Sequence, residues 1–322
     1  MGEAHLHAFL EDPRCEVVSL CDFSDEKRQS AKDKYANLHW VEDSNTVLED
    51  PEINVVSIAS YDNYHHEQVI KAITHDKHVF VEKPLCLSKE EAADIQVHLQ
   101  EKPNLKLSCN LILRKSPRFQ WLRETIRKGT LGEPFYLEGD YNYGRVEKVT
   151  QGWRGKIDFY SVVYGGAVHI VDLMLWLTGG RVVEVAAYGN RIATRGTQFK
   201  YNDMVASIMR FESGMVAKVT SNYACVYPHH HNLTVYGTKA TFVNDIKGAW
   251  LFESRDLKQA PQEIDKPYPD VRKGDLIQNF IEWILNGAEP IVSTGDVFKT
   301  MSVCFAIQEA LETGKPVRVP SL

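Results

Sequence analysis

The residues with the clearest chemical potential lie at the end of one short apolar run, the segment 77–84 (KHVFVEKP). His78 to Val81 is predicted to form a buried β-strand, because three of its four residues are β-branched or aromatic and no polar residue alternates with them. Pro84 cannot donate a backbone hydrogen bond and restricts Lys83 to an extended conformation, so the strand should end there. Open α/β sheets bind ligands just beyond the carboxyl ends of their strands. Lys83 is therefore a candidate for chemistry on a bound ligand.

Two further polar segments follow apolar runs earlier in the chain. Asp22 comes directly after the run 16–21, where a carboxylate can accept both hydroxyls of an adenosine ribose, although it could equally cap the helix that follows. Residues 60–65 (SYDNYH) lead from the run 53–59 into a helix, a usual place for backbone amides and hydroxyls to meet a cofactor. A plain N-cap within this segment explains it equally well.

The first third of the chain alternates between predicted strands and helices. The strands are 16–21, 53–59, 78–81 and 105–111, and the helices between them are 25–36, 63–75 and 88–101. The last helix opens with a capping box, in which Ser88 and Glu91 are expected to satisfy each other's free backbone amides. Strands separated by helices indicate right-handed crossovers and a parallel sheet of the α/β class.

Beyond about residue 130 the pattern changes to strands that follow one another through short turns. These strands are 134–143, 181–192, 204–211, 215–223, 232–236 and 241–243, and they predict a mostly antiparallel sheet. The helices of this part are 117–128, 168–178, 274–286 and 296–313, and each stops at a glycine suited to a left-handed cap (129, 179, 287 and 314). We expect a first domain over 1–107 and a second, α+β domain over 108–322.

Composition narrows the possible partners and the compartment. The chain has 322 residues and a net charge of −6, which argues against nucleic acid as the main partner because phosphate binding needs a basic surface. It shows no apolar run of membrane-spanning length and no signal-peptide pattern. The six cysteines are scattered and include no C-x-x-C pair, so a reducing cytoplasm fits best.

Several short motifs, each occurring once, follow one another along the chain. They are Gly2-x-x-His5-x-x-Ala8, Asp22, Ser60-x-x-x-x-His65, Val81-Glu82-Lys83-Pro84, Trp153-Arg154 and Gly165-Gly166-x-x-His169-x-x-Asp172-x-x-x-Trp176-Leu177-x-Gly179. Together they resemble the Gfo/Idh/MocA oxidoreductases, the glucose–fructose oxidoreductase and inositol dehydrogenase family. The resemblance implies an NAD(P)-binding Rossmann domain followed by a domain with a large open sheet. It also implies hydride transfer between a nicotinamide and a carbinol carbon of a sugar, inositol or similar polyol.

The resemblance gives three residues a role in catalysis. Lys83 would stabilise the developing alkoxide through its ammonium group, unless it is a surface lysine paired with Glu82. His169 would exchange the hydroxyl proton, since an imidazole titrates near neutral pH, unless it is only a buried core residue. Asp172 would orient that imidazole or would pair with a neighbouring backbone group or an arginine.

Binding roles follow from the same resemblance. The cofactor would contact Gly2, His5, Asp22, Ser60, Asn63, His65, Glu82 and Lys83. The substrate would contact Asn110, Arg114, Trp153, Arg154, His169 and His230, with Tyr141 a further pocket group; Arg114 could also be a surface residue. NAD is expected because the Asp22 carboxylate would repel a 2′-phosphate, although Ser24 and Arg28 leave NADP possible. The second domain would form a homodimer or homotetramer through its sheet.

The histidine run 229–231 does not predict a metal site. Adjacent residues of a strand point to opposite faces, so three consecutive imidazoles do not converge on one ion. We expect one or two of them to line the substrate pocket.

The chain departs from the family pattern at two places. Many members carry an acid four residues before the histidine, where this chain has Gly165, so an auxiliary acid is expected from Asp158, Tyr160 or Tyr164. The first strand and most of the glycine loop are also missing ahead of Gly2, which suggests that Met1 is an internal methionine of a chain longer by about a dozen residues. Both departures keep open an alternative function, a non-catalytic regulator that senses a cofactor or a sugar.

Overall fold

The computed structural model describes residues 1–320. Its helices are α1 (Gly2–Leu10), α2 (Asp25–Lys34), α3 (Ser44–Leu48), α4 (His65–Thr74), α5 (Lys89–Glu101), α6 (Pro117–Arg127), α7 (Glu147–Thr150), α8 (Val168–Thr178), α9 (Ile277–Asn286) and α10 (Thr294–Thr313). Its strands are β1 (Leu20–Cys21), β2 (Trp40–Val41), β3 (Val55–Ile58), β4 (His78–Val81), β5 (Leu107–Cys109), β6 (Pro134–Asn142), β7 (Val182–Asn190), β8 (Met204–Phe211), β9 (Val216–Asn222), β10 (His230–Gly237), β11 (Thr241–Asp245), β12 (Gly248–Phe252), β13 (Gln262–Glu263) and β14 (Val317–Arg318). None of the described helices is both long enough and apolar enough to cross a membrane.

The described chain divides into two compact units. Unit 1 comprises residues 1–112 together with 272–297, and unit 2 comprises residues 113–271 and those from 298 on. The start of unit 2 lies close to the predicted border at residue 107, but the return of residues 272–297 to unit 1 was not predicted. Side chains hold that segment in place: Ser108 Oγ donates to the Val292 carbonyl at 2.9 Å, and Phe80 packs against Phe280 of α9.

Unit 1 contains only parallel strand pairs among its described residues. Strands β3, β4 and β5 form one sheet in that order, and β1 pairs with β2 in a second, two-stranded sheet. The predicted strand 16–21 is reduced to the two residues of β1, which among the described residues pairs with the equally short β2 alone. Strand β4 matches its predicted range and lies between β3 and β5, which pair with its two edges.

Unit 2 is built on a nine-stranded sheet with the order β13-β12-β11-β10-β6-β9-β8-β7-β14. Only the central pair β6–β9 is parallel, which confirms the predicted, mostly antiparallel sheet. Helix α8 crosses β6 so closely that a Cβ atom on Gly139 would lie 2.3 Å from Ile170 and 2.8 Å from Met174. The absence of a side chain at Gly139 therefore lets α8 lie directly on the sheet.

Local signals in the sequence predicted the helix ends well. The glycines expected to end four helices, at positions 129, 179, 287 and 314, all have φ between 65° and 74°. Of the two hydrogen bonds predicted for the capping box at α5, one is present as predicted. Ser88 Oγ accepts from the Glu91 amide at 3.1 Å, but the Glu91 carboxylate accepts from the Leu87 amide, one residue earlier than expected.

Candidate active site

The turn formed by residues 82–84, which we call the Lys83 turn, follows β4 at its carboxyl end. Its backbone is held by His65, which is 1% exposed. One ring nitrogen of His65 lies 2.6 Å from the Pro84 carbonyl and the other lies 3.3 Å from the Ser60 carbonyl. The imidazole therefore joins the turn after β4 to the turn after β3. His65 thus holds the backbone that presents Lys83, and its contact with the cofactor stays a prediction.

Glu82 is the centre of a buried polar network behind this turn. Its Oε1 lies 3.2 Å from Nε2 of His5 and accepts from Nδ2 of Asn110 at 2.8 Å. The other ring nitrogen of His5 lies 2.8 Å from Ser57 Oγ, and Nδ2 of Asn110 also donates to the Lys273 carbonyl at 2.8 Å. The network joins three strand ends and the returning segment 272–297. His5, Glu82 and Asn110, all predicted to contact ligands, are thus in hydrogen-bonding contact with one another, while the buried Oδ1 of Asn110 has no hydrogen-bond partner among the described residues.

The charge of Glu82 is strongly favoured. Burial opposes ionisation, but the hydrogen bond and charge of His5, the charge of Lys83 and the hydrogen bond from Asn110 outweigh it and lower the pKa to about 2. Glu82 is therefore a carboxylate at neutral pH. A permanent negative charge next to Lys83 favours the ammonium form of that lysine.

Asp22 lies beyond the carboxyl end of β1, as the sequence predicts. Its Oδ1 accepts from the Ser24 amide at 2.9 Å, while Ser24 itself caps α2, so Asp22 is not the helix cap. The other carboxylate oxygen lies 4.0 Å from Lys27 Nζ and the side chain is 30% exposed. The guanidinium of Arg28 is already bound, by the Asp22 carbonyl and by two acids, Asp25 and Glu42.

The residues of unit 1 fit a dinucleotide in their donor chemistry. A partly exposed carboxylate suits a ribose diol, and Arg28, which could have bound a 2′-phosphate, is occupied by protein acceptors. Gly2 begins α1, and a Cβ there would make only ordinary contact with Ala59, at 3.8 Å. Ser60 donates its hydroxyl to Gln68 at 2.7 Å, and Asn63 is exposed in a 3₁₀ turn just before α4. These two keep acceptor or donor capacity for a ligand.

His169 lies at the start of α8, and aromatic side chains surround it. Its ring centroid is 6.1 Å from that of Tyr141 and 6.3 Å from that of His231. The His229 ring lies 5.0 Å from His231 and 5.4 Å from Tyr141. We call the whole group the tyrosine–histidine cluster: Tyr141, Tyr143, Tyr160, His169, Tyr223, His229 and His231.

Gly165 lies directly under two hydroxyls of this cluster. A Cβ atom at this position would be 2.1 Å from the Tyr160 hydroxyl and 2.6 Å from that of Tyr223, and these two oxygens are 2.9 Å apart. The glycine belongs to a short π-helical turn, Val163–Ala167, that leads into α8. The hydroxyls of Tyr160 and Tyr223 thus occupy the space that a side chain at position 165 would need. Of the three auxiliary groups predicted, Tyr160 is the one whose side chain lies at Gly165.

Asp172 and Arg114 form a buried ion pair in unit 2. The Arg114 Nε lies 3.0 Å from Oδ2, and its Nη2 lies 2.6 Å from Oδ1 of Asp172. Thr300 donates to the same carboxylate at 3.2 Å, and Arg114 is 2% exposed. The arginine pairing that the sequence left open is therefore present. Both residues are occupied by this contact, which disfavours the catalytic role predicted for Asp172 and the substrate contact predicted for Arg114.

Trp153 and Arg154 lie in a 3₁₀ turn beside the cluster. The Arg154 guanidinium stacks over the Trp153 ring at 4.6 Å and donates from Nε to the Tyr160 hydroxyl at 3.1 Å. Arg154 is thus placed next to the cluster that contains His169, as a substrate contact would be.

The predicted role of His230 does not agree with its position. Its ring lies 4.8 Å from that of Tyr268 and 3.5 Å from the Asn244 amide, whereas Tyr141 contacts His229 and His231. Residues at alternate positions share a face, so the two outer histidines of the run lie together and the middle one does not. Among the described residues, no group of three or more His, Cys, Asp or Glu side chains could hold a metal ion.

Sequence reasoning missed two members of the cluster, Tyr143 and Tyr223. Tyr143 could have been found from its spacing, because it lies two residues after Tyr141. Tyr223 gave no such signal, since it reaches the cluster from the end of β9, next to β6 only in the folded sheet.

A Rossmann-type unit and a unit with a large open sheet define a class of nicotinamide-dependent oxidoreductases, and sequence comparison agrees. Residues 1–110 match the model of an oxidoreductase family with an NAD-binding Rossmann fold, and residues 119–243 match the GFO/IDH/MocA C-terminal domain. The chain belongs to the Gfo/Idh/MocA oxidoreductase family. The family, the fold class and the NAD cofactor predicted from the motifs are confirmed.

Individual relatives have low sequence identity to this chain, but the similarity extends over most of its length. The scyllo-inositol 2-dehydrogenase (NAD(+)) of Bacillus subtilis is 26% identical over 291 residues, which covers 87% of this chain and 82% of the relative. The structure of levoglucosan dehydrogenase in complex with NADH is 21% identical, with a TM-score of 0.88 over 100% of this chain and 97% of the other. The scyllo-inositol dehydrogenase of Lactobacillus casei, solved with NAD(H) and scyllo-inositol, is 18% identical, with a TM-score of 0.82 over 99% and 96%. At these identities the two structures show the shared fold.

Proposed function

We propose that the chain is an NAD-dependent dehydrogenase that transfers a hydride between nicotinamide and a carbinol carbon of a sugar or polyol. The observation that carries the proposal is Lys83, placed directly after a parallel strand of a unit that matches an NAD-binding family over residues 1–110. The inositol and levoglucosan dehydrogenases named above support the class of substrate.

Each half of the reaction has a proposed residue in its own unit. When bound, NAD supplies the acceptor for the hydride. In unit 1, the Lys83 ammonium donates a hydrogen bond to the reacting oxygen and stabilises the negative charge that develops on it. In unit 2, His169 takes the hydroxyl proton, and it returns that proton in the reverse direction. Asp172 acts as a positioning residue, because its ion pair with Arg114 fixes α8 and so the backbone of His169.

The cofactor contacts divide into two groups. Gly2, Asp22, Ser60, Asn63 and Lys83 are proposed to touch the dinucleotide, with Asp22 on the adenosine ribose. His5, His65 and Glu82 are proposed to hold the turns that present those groups, because their own polar atoms are bound to protein. The occupied guanidinium of Arg28 favours NAD over NADP.

We also propose that the protein acts in the cytoplasm as a homodimer or homotetramer that associates through the sheet of unit 2. Burial alternates along β8 and β9, so each strand has one covered face and one face that is at least partly open. The open face carries apolar side chains, among them Ile208, which is 48% exposed. Such a face fits contact with a second copy.

The test is an assay of the purified chain with NAD and a panel of neutral and acidic sugars and inositols, followed by the absorbance of the reduced cofactor. We expect turnover, and we expect Lys83→Met to reduce kcat about 100-fold to 1,000-fold, the usual cost of losing an oxyanion donor. Lys128→Met, which removes an exposed lysine paired with Glu124, serves as the matched control and should leave the rate unchanged. Tight NAD binding without turnover on any compound would instead support the cofactor- or sugar-sensing regulator.

A further inference from the structure

Arg154 carries a positive charge that no acid of the described chain balances. Its Nε donates to the Tyr160 hydroxyl, and its guanidinium lies over the rings of Trp153 and Tyr160. Among residues 1–320, no carboxylate oxygen lies within 4.0 Å of its nitrogens. Arg114, in the same unit, is the opposite case, because the carboxylate of Asp172 binds it through two oxygens.

Two phenols of the neighbouring cluster do not supply the missing negative charge. Burial raises the pKa of Tyr223 and of Tyr141 well above the ordinary value for a phenol. Both side chains are therefore neutral at physiological pH, and hydrogen bonds from neutral phenols do not compensate a guanidinium.

A second arginine borders the cluster. Arg145 is exposed, and its guanidinium lies 5.3 Å from the centre of the Tyr143 ring. It too has no carboxylate within 4.0 Å among the described residues. Tyr143 in turn packs 4.7 Å from Tyr223, so both cations border one group of rings. In a chain with a net charge of −6, two arginines without an acid within 4.0 Å among the described residues thus border the cluster that contains His169.

We infer that the substrate held by this cluster carries a carboxylate, as a uronic or an aldonic acid does, and that Arg154 binds it. A guanidinium presents parallel N–H donors that match the two oxygens of a carboxylate, and with Nε committed to Tyr160 the two terminal nitrogens are left for this contact. The rings of Tyr143 and His229, which are not buried, provide apolar surface for the sugar ring. This inference rests on the proposed dehydrogenase function and narrows its substrate class.

The experiment compares matched pairs of compounds with and without the acid. Glucose is paired with glucuronate, galactose with galacturonate, and glucose 6-phosphate tests whether a phosphate replaces the carboxylate. We expect kcat/KM to be at least about tenfold higher for the uronates than for the neutral sugars. Arg154→Met should lower the uronate value about 10-fold to 100-fold, mainly through KM, and this loss should exceed the loss for the matched neutral sugar by at least about tenfold. Arg181→Met removes an exposed arginine paired with Glu212, and this matched control should change neither value.

The outcomes separate this inference from the proposed function. Turnover of neutral sugars at the same efficiency as their uronates, with an equal loss for both in Arg154→Met, would overturn the inference and leave the dehydrogenase intact. A preference for the sugar phosphate would overturn the choice of carboxylate. If no compound is oxidised, calorimetric binding of glucuronate in the presence of NAD decides. Binding that Arg154→Met abolishes supports the acid site although the proposed function has failed, and no binding by the wild type overturns both.

Discussion

The Lys83 turn and the surroundings of the tyrosine–histidine cluster differ in how far protein groups compensate a charged side chain. Behind the Lys83 turn, the Glu82 carboxylate accepts a hydrogen bond from Asn110 and lies in hydrogen-bonding contact with His5, so protein groups compensate its charge. Beside the cluster, the contacts of the Arg154 guanidinium among the described residues are with the phenol of Tyr160 and the indole of Trp153. A charge that protein groups compensate needs no ligand, whereas an unbalanced cation gains from an anion. The contrast suggests that the first region is built for position and the second for substrate.

The largest expected effect concerns the buried ion pair of Arg114 and Asp172, in which protein groups compensate each other's charge. Asp172→Ala leaves the Arg114 guanidinium buried without its carboxylate, so we expect the free energy of unfolding to fall by about 3–5 kcal/mol. Urea unfolding followed by circular dichroism measures the loss. The double variant Arg114→Met/Asp172→Leu removes both charges and should recover most of it. Equal free energies of unfolding for Asp172→Ala and the wild type would show that Arg114 does not depend on Asp172 for its charge compensation.

The second prediction concerns Glu82 and its dependence on pH. The folded pKa of about 2 lies below the ordinary value of 4.5, so the carboxylate stabilises the folded state fully above about pH 4.5. That contribution, roughly 3 kcal/mol for a shift of this size, is lost as the pH falls from about 4.5 to about 2. Glu82→Gln should therefore be less stable at neutral pH and should lose less on acidification. Glu124→Gln, at an exposed position, is the control, and parallel pH profiles of Glu82→Gln and wild type would contradict the prediction.

The two regions also differ in how far the sequence could predict them. Strand β4 and the glycine helix ends follow from local patterns, because a proline and left-handed glycines act on their immediate neighbours. The motif residues His5 and Glu82 are in contact with each other, but this contact spans 77 residues and no local pattern reveals it. The ring of His231 faces Tyr141, and the sequence could not predict which histidine of the run 229–231 does so, because that depends on the register with β6. The substrate contact of His230 stays a prediction.

Tyr223 and the segment 272–297 show why the remainder could not be predicted. Their places depend on contacts between distant parts of the chain: Tyr223 meets Tyr160 across 63 positions, and Val292 accepts from Ser108 across 184. Composition and periodicity report the local preference of a segment and say little about which distant segment it meets. The predicted border at residue 107 divides the chain into two continuous segments. Such a division cannot assign the later segment 272–297 to the first unit.

The smallest expected effect tests how tightly the cluster is packed at Gly165. Gly165→Ala places a methyl group 2.1 Å from the Tyr160 hydroxyl, so the buried rings must shift, and we expect a loss of about 1–3 kcal/mol in unfolding free energy. Adding Tyr160→Phe removes the nearest oxygen, so the double variant should lose less stability than the two single variants predict together. Thermal and urea unfolding of the four proteins gives this coupling directly. Strict additivity would mean that the phenols do not occupy the space above Gly165, and the cluster would then have room for a larger side chain at this position.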